Sequence, residues 1–335
     1  MEFKKWIILI GLCVCIIIPQ IGCKSEAPVS ENQFLLNTVC TVTVYNMKQS
    51  QAQEAIKEAF ACCRQYEDLL SKTVRGSDVD NINRAGGKAV RVHPETLAVV
   101  RRGIEYGDLS RGMFDITIGA VTELWDFTGE HPKVPPAEEL KKAVRTVDYK
   151  QIRIEGDKVK LQNPEARLDL GGIAKGYIAD RVTERMEKAG VRSAVINLGG
   201  NIATIGEKEK GVPWKIGIER PYSERTKILG SVEMESGTIV TSGIYERYFK
   251  EGGRIYHHVL NPKTGYPVDS GLEAVTIKGG SGRSMDCDAL STMCLMLGAE
   301  RSMEILKGMD GIEAAFVDQS DQITQVKGMK ILPAE

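Results

Sequence analysis

A run of short strand-like segments in the second half of the chain limits the fold more than any other feature. Most of these segments are rich in β-branched residues and are separated by glycine-containing turns. They are "RSAVINLGGNIATIG", "WKIGIERP", "ILGSVEMESGTIVTSG" and "HVLNPKTGYPV" followed by "LEAVTIKGG". Upstream, "VCTVTVYNM" predicts one strand, and "YKQIRIEGDKVKLQNPEARLDL" predicts strands joined by a turn. Strands in runs, with helices between only some of them, favour an α+β fold with a large, mostly antiparallel or mixed sheet.

Segments with apolar residues at helical spacing predict helices that flank this sheet. "SQAQEAIKEAFACCRQYEDLLS" predicts a helix of several turns, and "KGYIADRVTERMEKAG" predicts another that ends at a glycine. A third is expected from about Asp286 to Leu297. The chain contains no internal repeat and no low-complexity linker. Residues 34–335 are therefore predicted to form a single domain.

The first residues have the pattern of an export signal. Two lysines precede an apolar run over residues 6–18, which is shorter than the roughly 20 apolar residues that a membrane-spanning helix needs. The following Ile-Gly-Cys resembles a bacterial lipoprotein cleavage box. We therefore expect a signal peptide over residues 1–22, lipidation of Cys23 and a polar tether over residues 23–33. An exported, membrane-anchored lipoprotein follows, with a plain export signal or an uncleaved anchor as alternatives.

Charge and cysteine content exclude some classes of protein. The formal net charge of −1 gives no electrostatic reason to expect a nucleic-acid partner. Beyond the first 23 residues five cysteines remain, an odd number with no Cys-x-x-Cys spacing. We expect most of them to be small buried apolar side chains.

A candidate metal site lies in "SMDCDALSTMCLMLG". On a helix, Asp288, Ser291 and Thr292 are spaced i, i+3 and i+4 and share one face. One carboxylate and two hydroxyls are hard oxygen ligands, which suit Mg²⁺ with its remaining positions filled by water and phosphate oxygens. The alternative is an acid near a helix start with ordinary surface hydroxyls.

A candidate phosphate site lies in "LDLGGIAKGY", residues 168–177. Glycines at a strand-to-helix join let backbone groups approach a ligand, and Lys175 adds a positive charge. The spacing matches neither the P-loop nor the dinucleotide-binding fingerprint. A tight structural turn with a surface lysine remains the alternative.

Two further places carry polar groups that chemistry could use. His257 and His258 are adjacent, so on a strand they point to opposite faces and only one can face a given site. Either could carry a proton, and the other is expected to be structural. Asp115 in "GMFDITIG" interrupts an apolar stretch, where a carboxylate must be hydrogen-bonded. It could bind a polar edge of a ligand or cap a neighbouring backbone.

Seven motifs occur in an order that resembles the ApbE family. They are "RGMFDITIGAVTELWDF", "LDLGGIAKGYIADRV", "INLGGNI", "PWKIGIERP", "IVTSGIYERY", "YHHVLNPKTGYPV" and "CDALSTMCLMLG". The similarity runs from about Phe34 to Val317. Members of that family are exported, often lipidated FAD:protein FMN transferases. They use Mg²⁺ to split FAD at its pyrophosphate, join FMN to a threonine hydroxyl of an acceptor protein and release AMP.

The resemblance implies partners and site residues. The acceptors would be exported flavin-carrying proteins such as subunits of membrane redox pumps. The implied metal ligands are Asp288, Ser291, Thr292 and the carbonyl of Ala174. The implied FAD-binding positions are Leu36, Thr73, Met113, Phe114, Asp115, Gly171, Lys175, Tyr177 and Leu260. The implied catalytic candidates are Asp288, His257, His258 and Lys175.

The chain departs from the family pattern at three places. It has Leu36-Asn37-Thr38 where Met-Gly-Thr is common, Thr73 where a tyrosine often packs on the cofactor, and Asn261 in place of a common aspartate. The first two could loosen the flavin site. These two departures do not discriminate between the transferase and an FAD pyrophosphatase that yields FMN and AMP. That function stays open, and so does a lipid-anchored flavin-binding protein without turnover.

Overall fold

The structure is a computed structural model, and it describes residues 26–127, 129, 132–223 and 227–334. The signal peptide expected over residues 1–22 and the lipidation expected at Cys23 lie outside the described residues. Among the described helices, none has the length and hydropathy needed to cross a bilayer.

The centre of the fold is an eight-stranded sheet in which every neighbouring pair of strands is antiparallel. Along the sheet the strands are, in spatial order, β1 (Val29–Leu35), β2 (Thr38–Val44), β6 (Ala194–Leu198), β7 (Asn201–Ile205), β10 (Gly237–Gly243), β13 (Leu272–Gly279), β14 (Ile312–Asp318) and β15 (Ile323–Val326). The predicted α+β class with a large antiparallel sheet is confirmed.

Three small sheets accompany the large one within the described residues. The first contains β3 (Val90–Arg91), β5 (Lys158–Leu161) and β4 (Ile152–Glu155); the second contains β16 (Leu332–Pro333), β9 (Ile228–Met234) and β8 (Trp214–Glu219); the third is the hairpin of β11 (Tyr248–Glu251) and β12 (Arg254–His257).

Eight α-helices form over the described residues. They are α1 (Gln49–Leu70), α2 (Asp78–Arg84), α3 (Pro94–Leu109), α4 (Gly119–Trp125), α5 (Ala137–Val144), α6 (Ala174–Lys188), α7 (Ser284–Leu297) and α8 (Ala299–Leu306). The helix predicted from about Asp286 starts two residues earlier, at Ser284, where the Asp180 carboxylate accepts hydrogen bonds from the first backbone N–H groups of α7. An acid at this end is favourable because the first N–H groups of a helix lack intrahelical partners.

The two faces of the large sheet are covered differently. Alternate residues point to opposite faces, so Val240 joins the main core formed with helices α1, α6 and α7, whereas Ile239 joins a second core under β8 and β9. The five cysteines that the structure describes are unbridged and buried, which confirms their prediction as apolar core residues. Helices α6 and α7 thus lie side by side on one face of the sheet, and they carry the chemistry expected from the sequence.

Two boundaries predicted from the sequence are wrong. Strand β1 begins at Val29 and pairs with β2 through its whole length, so the expected tether of residues 23–33 ends before Val29. The chain before the glycines at 171 and 172 is not a sheet strand, because β5 ends at Leu161. It forms one isolated parallel bridge, from Arg167 to Ile118. Its backbone bonds to residues 116 and 119, and side chains hold it in addition.

Candidate functional site

The carboxylate of Asp288 joins the two central helices. Its Oδ2 accepts a 2.8 Å hydrogen bond from the backbone N–H of Gly176 in the first turn of α6. That N–H has no partner inside the helix, and the positive end of the helix dipole favours an anion there. Asp288 is 3% exposed, and its burial raises the pKa of the carboxyl. The carboxylate is therefore held in place by α6, and Lys175 is the nearby positive charge that opposes the effect of burial.

The close approach of α6 and α7 depends on a glycine. A Cβ on Gly176 would lie 2.1 Å from the carbonyl oxygen of Ser284 and 2.7 Å from the Cβ of Asp288. Only a residue without a side chain allows the two helices to meet here. The glycine predicted to matter for ligand approach in fact sets the distance between helices.

The predicted metal-ligand face of α7 meets the glycine turn. Gly172 lies against Thr292, whose Oγ1 would be 3.5 Å from a Cβ at that glycine. Ser291 is fully buried; its hydroxyl donates to the Asp288 carbonyl at 2.9 Å and lies 2.8 Å from the Ser242 hydroxyl. Thr292 and Asp288 therefore lie next to residues 172–176, which form the glycine turn and the first residues of α6. The Ser291 hydroxyl lies instead beside Ser242.

Two side chains fix the backbone before this turn. Asn83 bonds both backbone groups of Leu168, accepting from its N–H at 2.6 Å and donating to its carbonyl at 3.0 Å. Asp169 accepts from the Gly171 N–H at 2.9 Å and pairs with the Lys72 ammonium at 2.9 Å. Burial alone would raise the pKa of Asp169, but Lys72 and these hydrogen bonds hold it at about 2. Gly171 is thereby fixed through an ionised carboxylate.

Lys175 lies beside a second glycine turn. Its Nζ donates to the carbonyl of Gly199 at 3.3 Å. The Glu246 side chain, which follows β10, lies near this turn: its Oε1 accepts from the Gly243 N–H at 3.2 Å and would be 4.0 Å from a Cβ on Gly200. Glu246 reaches solvent, yet desolvation by the surrounding protein raises its pKa, against the opposing effect of Lys175. The lysine therefore faces the site rather than bulk solvent.

The two histidines have different surroundings. His257 is buried, with Nε2 at 3.1 Å from the Val268 carbonyl. His258 has Nδ1 at 3.3 Å from the Arg247 carbonyl and lies within electrostatic range of Lys175. Desolvation lowers the pKa of His257 to about 4 and that of His258 to about 3. Both rings are thus neutral at pH 7, and only His258 is near the lysine.

Asn201 is a buried amide at the start of β7, directly after the Gly199-Gly200 turn. It is 0% exposed, and no described protein atom is in hydrogen-bonding position to either of its amide atoms. The amide nevertheless faces the Asp288 carboxylate closely enough to lower its pKa. A fully buried amide without partners is rare in a folded protein.

The residues expected to hold the flavin do not all meet at this place. Phe114 lies against Gly172, with its Cε2 3.1 Å from where a Cβ would be, and the neighbouring Met113 packs on the main core. Asp115 accepts from the Thr117 N–H at 2.8 Å and from the Tyr149 N–H at 3.0 Å. Its carboxylate therefore caps backbone, which is the second of the two alternatives that the sequence left open.

Two other expected flavin contacts are buried in the protein core. Tyr177 packs edge to face on Tyr66 of α1 at 5.6 Å, so its ring is directed away from the side of α6 that carries Lys175. Leu260 is 2% exposed and packs in a third apolar cluster with Trp125.

Two of the three places that depart from the family pattern have neighbours in the site. Leu36 forms the β1–β2 turn with a positive φ of 55°, which a leucine rarely adopts, and the next strand places Thr38 against Gly199. Thr73 is exposed and follows Lys72, the partner of Asp169. Leu36 is therefore two residues from the Thr38 contact with Gly199, and Thr73 is next to the lysine that pairs with Asp169.

Sequence reasoning missed Asn201, Glu246 and Asp169. Each lies inside a motif quoted above, "INLGGNI", "TSGIYERY" or "LDLGG", but none has a spacing that links it to Asp288. Their proximity to the site comes from the packing of β7, β10 and α6 against α7.

Comparison with known proteins places this arrangement in a family. The model of the ApbE family matches residues 36–316. The FAD:protein FMN transferase of Treponema pallidum (strain Nichols) is 31% identical over 96% of this chain and 93% of that protein. The FAD:protein FMN transferase of Klebsiella pneumoniae (strain 342) is 34% identical over 82% of this chain and 85% of its own length.

Solved structures agree over most of the fold. The ApbE protein of Thermotoga maritima superposes with a TM-score of 0.81 at 29% identity, covering 90% of this chain and 97% of that one. The flavin transferase ApbE of Vibrio cholerae gives a TM-score of 0.80 at 26% identity, covering 90% and 98%. Because the family model matches most of the chain and relatives above 30% identity span most of its length, the chain belongs to the ApbE family.

Proposed function

We propose that this protein transfers FMN from FAD to a threonine hydroxyl of an acceptor protein and releases AMP. The observation that carries the proposal is the meeting of Asp288 and Thr292 with the glycine turn beside Lys175. The relatives named FAD:protein FMN transferase support the same reaction.

Mg²⁺ fits the donor groups of this site. The side chains that converge on the turn offer carboxylate and hydroxyl oxygens, and the described residues contain no cluster of three or more His, Cys, Asp or Glu that would favour a softer metal. Asp288, Thr292 and the carbonyl of Ala174 would hold the ion, with Ser291 supporting Asp288 from behind. When bound, the ion would offset negative charge on the diphosphate oxygens.

The transfer exchanges one phosphorus–oxygen bond for another. The threonine oxygen of the acceptor forms a bond to the phosphorus of the FMN half. The bond from that phosphorus to the bridging oxygen breaks, and AMP leaves with the bridging oxygen. Lys175 would stabilise the negative charge on the diphosphate, and the backbone fixed by Asp169 would keep Gly171 and Gly172 close to it.

His258 is the proton acceptor that the site supports best. Its Nδ1–H can donate to the Arg247 carbonyl, which leaves a lone pair on Nε2. Desolvation lowers its pKa, so the ring is neutral at pH 7 and Nε2 is free to accept a proton. His257 already uses Nε2 at the Val268 carbonyl and is buried, so we assign it a structural role.

We further propose that the protein acts outside the cytoplasm as a lipoprotein anchored at Cys23. The support is the basic and apolar pattern of residues 1–22 followed by Ile-Gly-Cys. Its acceptors would then be exported flavin-carrying proteins. Mass spectrometry of the purified membrane form would test the anchor, because a Cys23→Ser variant would lack the lipid mass and leave the membrane fraction.

The experiment for the transfer uses the full chain in detergent with FAD and Mg²⁺, with and without a flavin-carrying subunit of a membrane redox pump. Mass spectrometry then follows both the acceptor and the nucleotides. An acceptor that gains one FMN while AMP accumulates supports the proposal. FMN and AMP without a labelled acceptor would identify an FAD pyrophosphatase instead. FAD that stays bound and unchanged would indicate a flavin-binding protein without turnover.

A further inference from the structure

The Asn201 side chain is buried at the site with unused hydrogen-bonding capacity. Its amide offers two N–H donors and one carbonyl acceptor, yet no described protein atom is in position to bond to either amide atom. Two other buried polar residues of the same sheet differ from it. Thr204, also on β7, donates to the Glu235 carbonyl at 2.6 Å, and Thr238 on β10 donates to the Ile202 carbonyl at 3.1 Å. The lack of hydrogen-bond partners is therefore specific to Asn201 and is not a general property of the sheet.

The position of Asn201 explains why protein atoms do not satisfy it. The residue directly follows the glycine turn whose Gly199 carbonyl accepts from Lys175, and its strand packs against both α6 and α7. The Asp288 carboxylate lies next to the amide. The side chain thus borders the same space as the candidate ligands of the cation.

We propose that Asn201 is a further binding residue of the cation–diphosphate site, and that ligand binding satisfies the amide that the protein leaves without a partner. In the ligand-bound state the amide N–H would turn to the carboxylate, and the amide oxygen would then face the cation or a water that the cation holds. Amide oxygens are suitable partners for Mg²⁺. Groups that orient a metal ligand in this way commonly change metal affinity by 10- to 100-fold. This inference rests on the proposed function only for the identity of the cation.

The test measures binding rather than turnover. Mg²⁺ is titrated calorimetrically into the full chain, without FAD and with FAD, for wild type, Asn201→Leu and Asn201→Asp. Leucine has nearly the shape of asparagine but no polar atom, so we expect Mg²⁺ affinity to fall about 10- to 100-fold. Aspartate keeps an oxygen at the same place, so we expect its affinity to stay within about threefold of wild type or to increase.

Thermal unfolding without Mg²⁺ or FAD separates this role from a purely structural one. A buried amide without protein partners contributes nothing to the fold by hydrogen bonding, so Asn201→Leu should unfold at the same temperature as wild type or higher. Thr204→Val is the matched control, because it removes a hydrogen bond on the same strand. It should lower the unfolding temperature and leave Mg²⁺ affinity unchanged.

The opposite pattern would overturn the inference. A lower unfolding temperature with unchanged Mg²⁺ affinity in Asn201→Leu would mean that the amide binds a structural water. Equal loss of Mg²⁺ affinity in Asn201→Leu and Asn201→Asp would show that the amide oxygen has no part in binding. A wild type that binds no Mg²⁺ would also contradict the inference. Turnover is measured separately. A wild type that binds Mg²⁺ and FAD but produces no FMN would contradict the proposed function and leave the assignment of Asn201 intact.

Discussion

The backbone N–H of Gly176 donates a 2.8 Å hydrogen bond to the Oδ2 atom of Asp288, and this contact connects the first turn of α6 to α7. It gives the buried carboxylate a fixed orientation toward the glycine turn. The same two residues fix how closely the helices approach, because the position of Gly176 leaves no room for a side chain. The geometry of the proposed cation site and the packing of the core therefore depend on one contact.

Replacing Asp288 by asparagine should abolish most of the catalysis and preserve the fold. The amide has the same shape and removes a buried charge, so we expect an unfolding temperature equal to or above that of wild type. Loss of the cation's carboxylate ligand should lower kcat/KM for FAD cleavage about a thousandfold. Steady-state kinetics with FAD and Mg²⁺ measure this. Asp286→Asn is the control: this residue pairs with Arg102, and its loss should leave the rate nearly unchanged.

Gly176→Ala should destabilise the protein by about 3 kcal/mol, because the added methyl group meets backbone atoms that cannot move independently. Urea unfolding gives the free energy of unfolding directly. Gly308→Ala is the matched control, since the nearest atom to its added Cβ is 3.8 Å away. A change of less than 1 kcal/mol in Gly176→Ala would show that the two helices can separate without cost.

The ion pair of Asp169 and Lys72 predicts a pH dependence of stability. The folded-state pKa of about 2 is below the unfolded value of about 3.9. The contribution of Asp169 is therefore present above pH 4 and is lost as the pH falls from about 4 to 2. We expect Asp169→Asn to be about 2 kcal/mol less stable than wild type at pH 6, with a smaller difference at pH 3. Urea unfolding at both pH values measures it, and a difference that is independent of pH would contradict the ion pair.

His258→Gln should lower the rate of transfer by about 10²- to 10⁴-fold, the usual range for loss of a general base. Because the pKa of His258 is lowered to about 3, its ring stays neutral from pH 7 to pH 5. The ratio of the wild-type rate to the variant rate should therefore be constant over that range. Rates measured at several pH values would refute this role if the ratio fell with an apparent pKa near 6.5.

His257→Gln should change stability more than catalysis. Burial lowers the folded-state pKa of His257 to about 4, so the unfolded chain binds a proton first, near pH 6.5. As the pH falls from 6.5 to 4, the unfolded chain is protonated at this residue while the folded chain is not. The free energy of unfolding therefore falls by about 3 kcal/mol at most over that range. Thermal unfolding at pH 7.5 and pH 5 should therefore show a smaller pH effect in the variant than in wild type. An equal effect of pH on the unfolding temperature of wild type and variant would mean that a group other than His257 causes it.

The fold class and most of the longer elements were predictable from the sequence. Helices α1, α6 and α7 follow from apolar spacing, which is a local property, and the strands follow from β-branched runs between turns. The common face of Asp288, Ser291 and Thr292 was predictable for the same reason, because helix geometry fixes which residues lie side by side.

Which distant groups meet depends on the tertiary structure. It placed Asn201 beside Asp288 and Glu246 near Lys175, and it directed Asp115 to backbone partners. It also turned Tyr177 toward Tyr66 instead of the site. Such choices depend on how β7, β10, α6 and α7 pack on one another. Local spacing cannot specify them, because each side chain's neighbours come from segments far away in the chain.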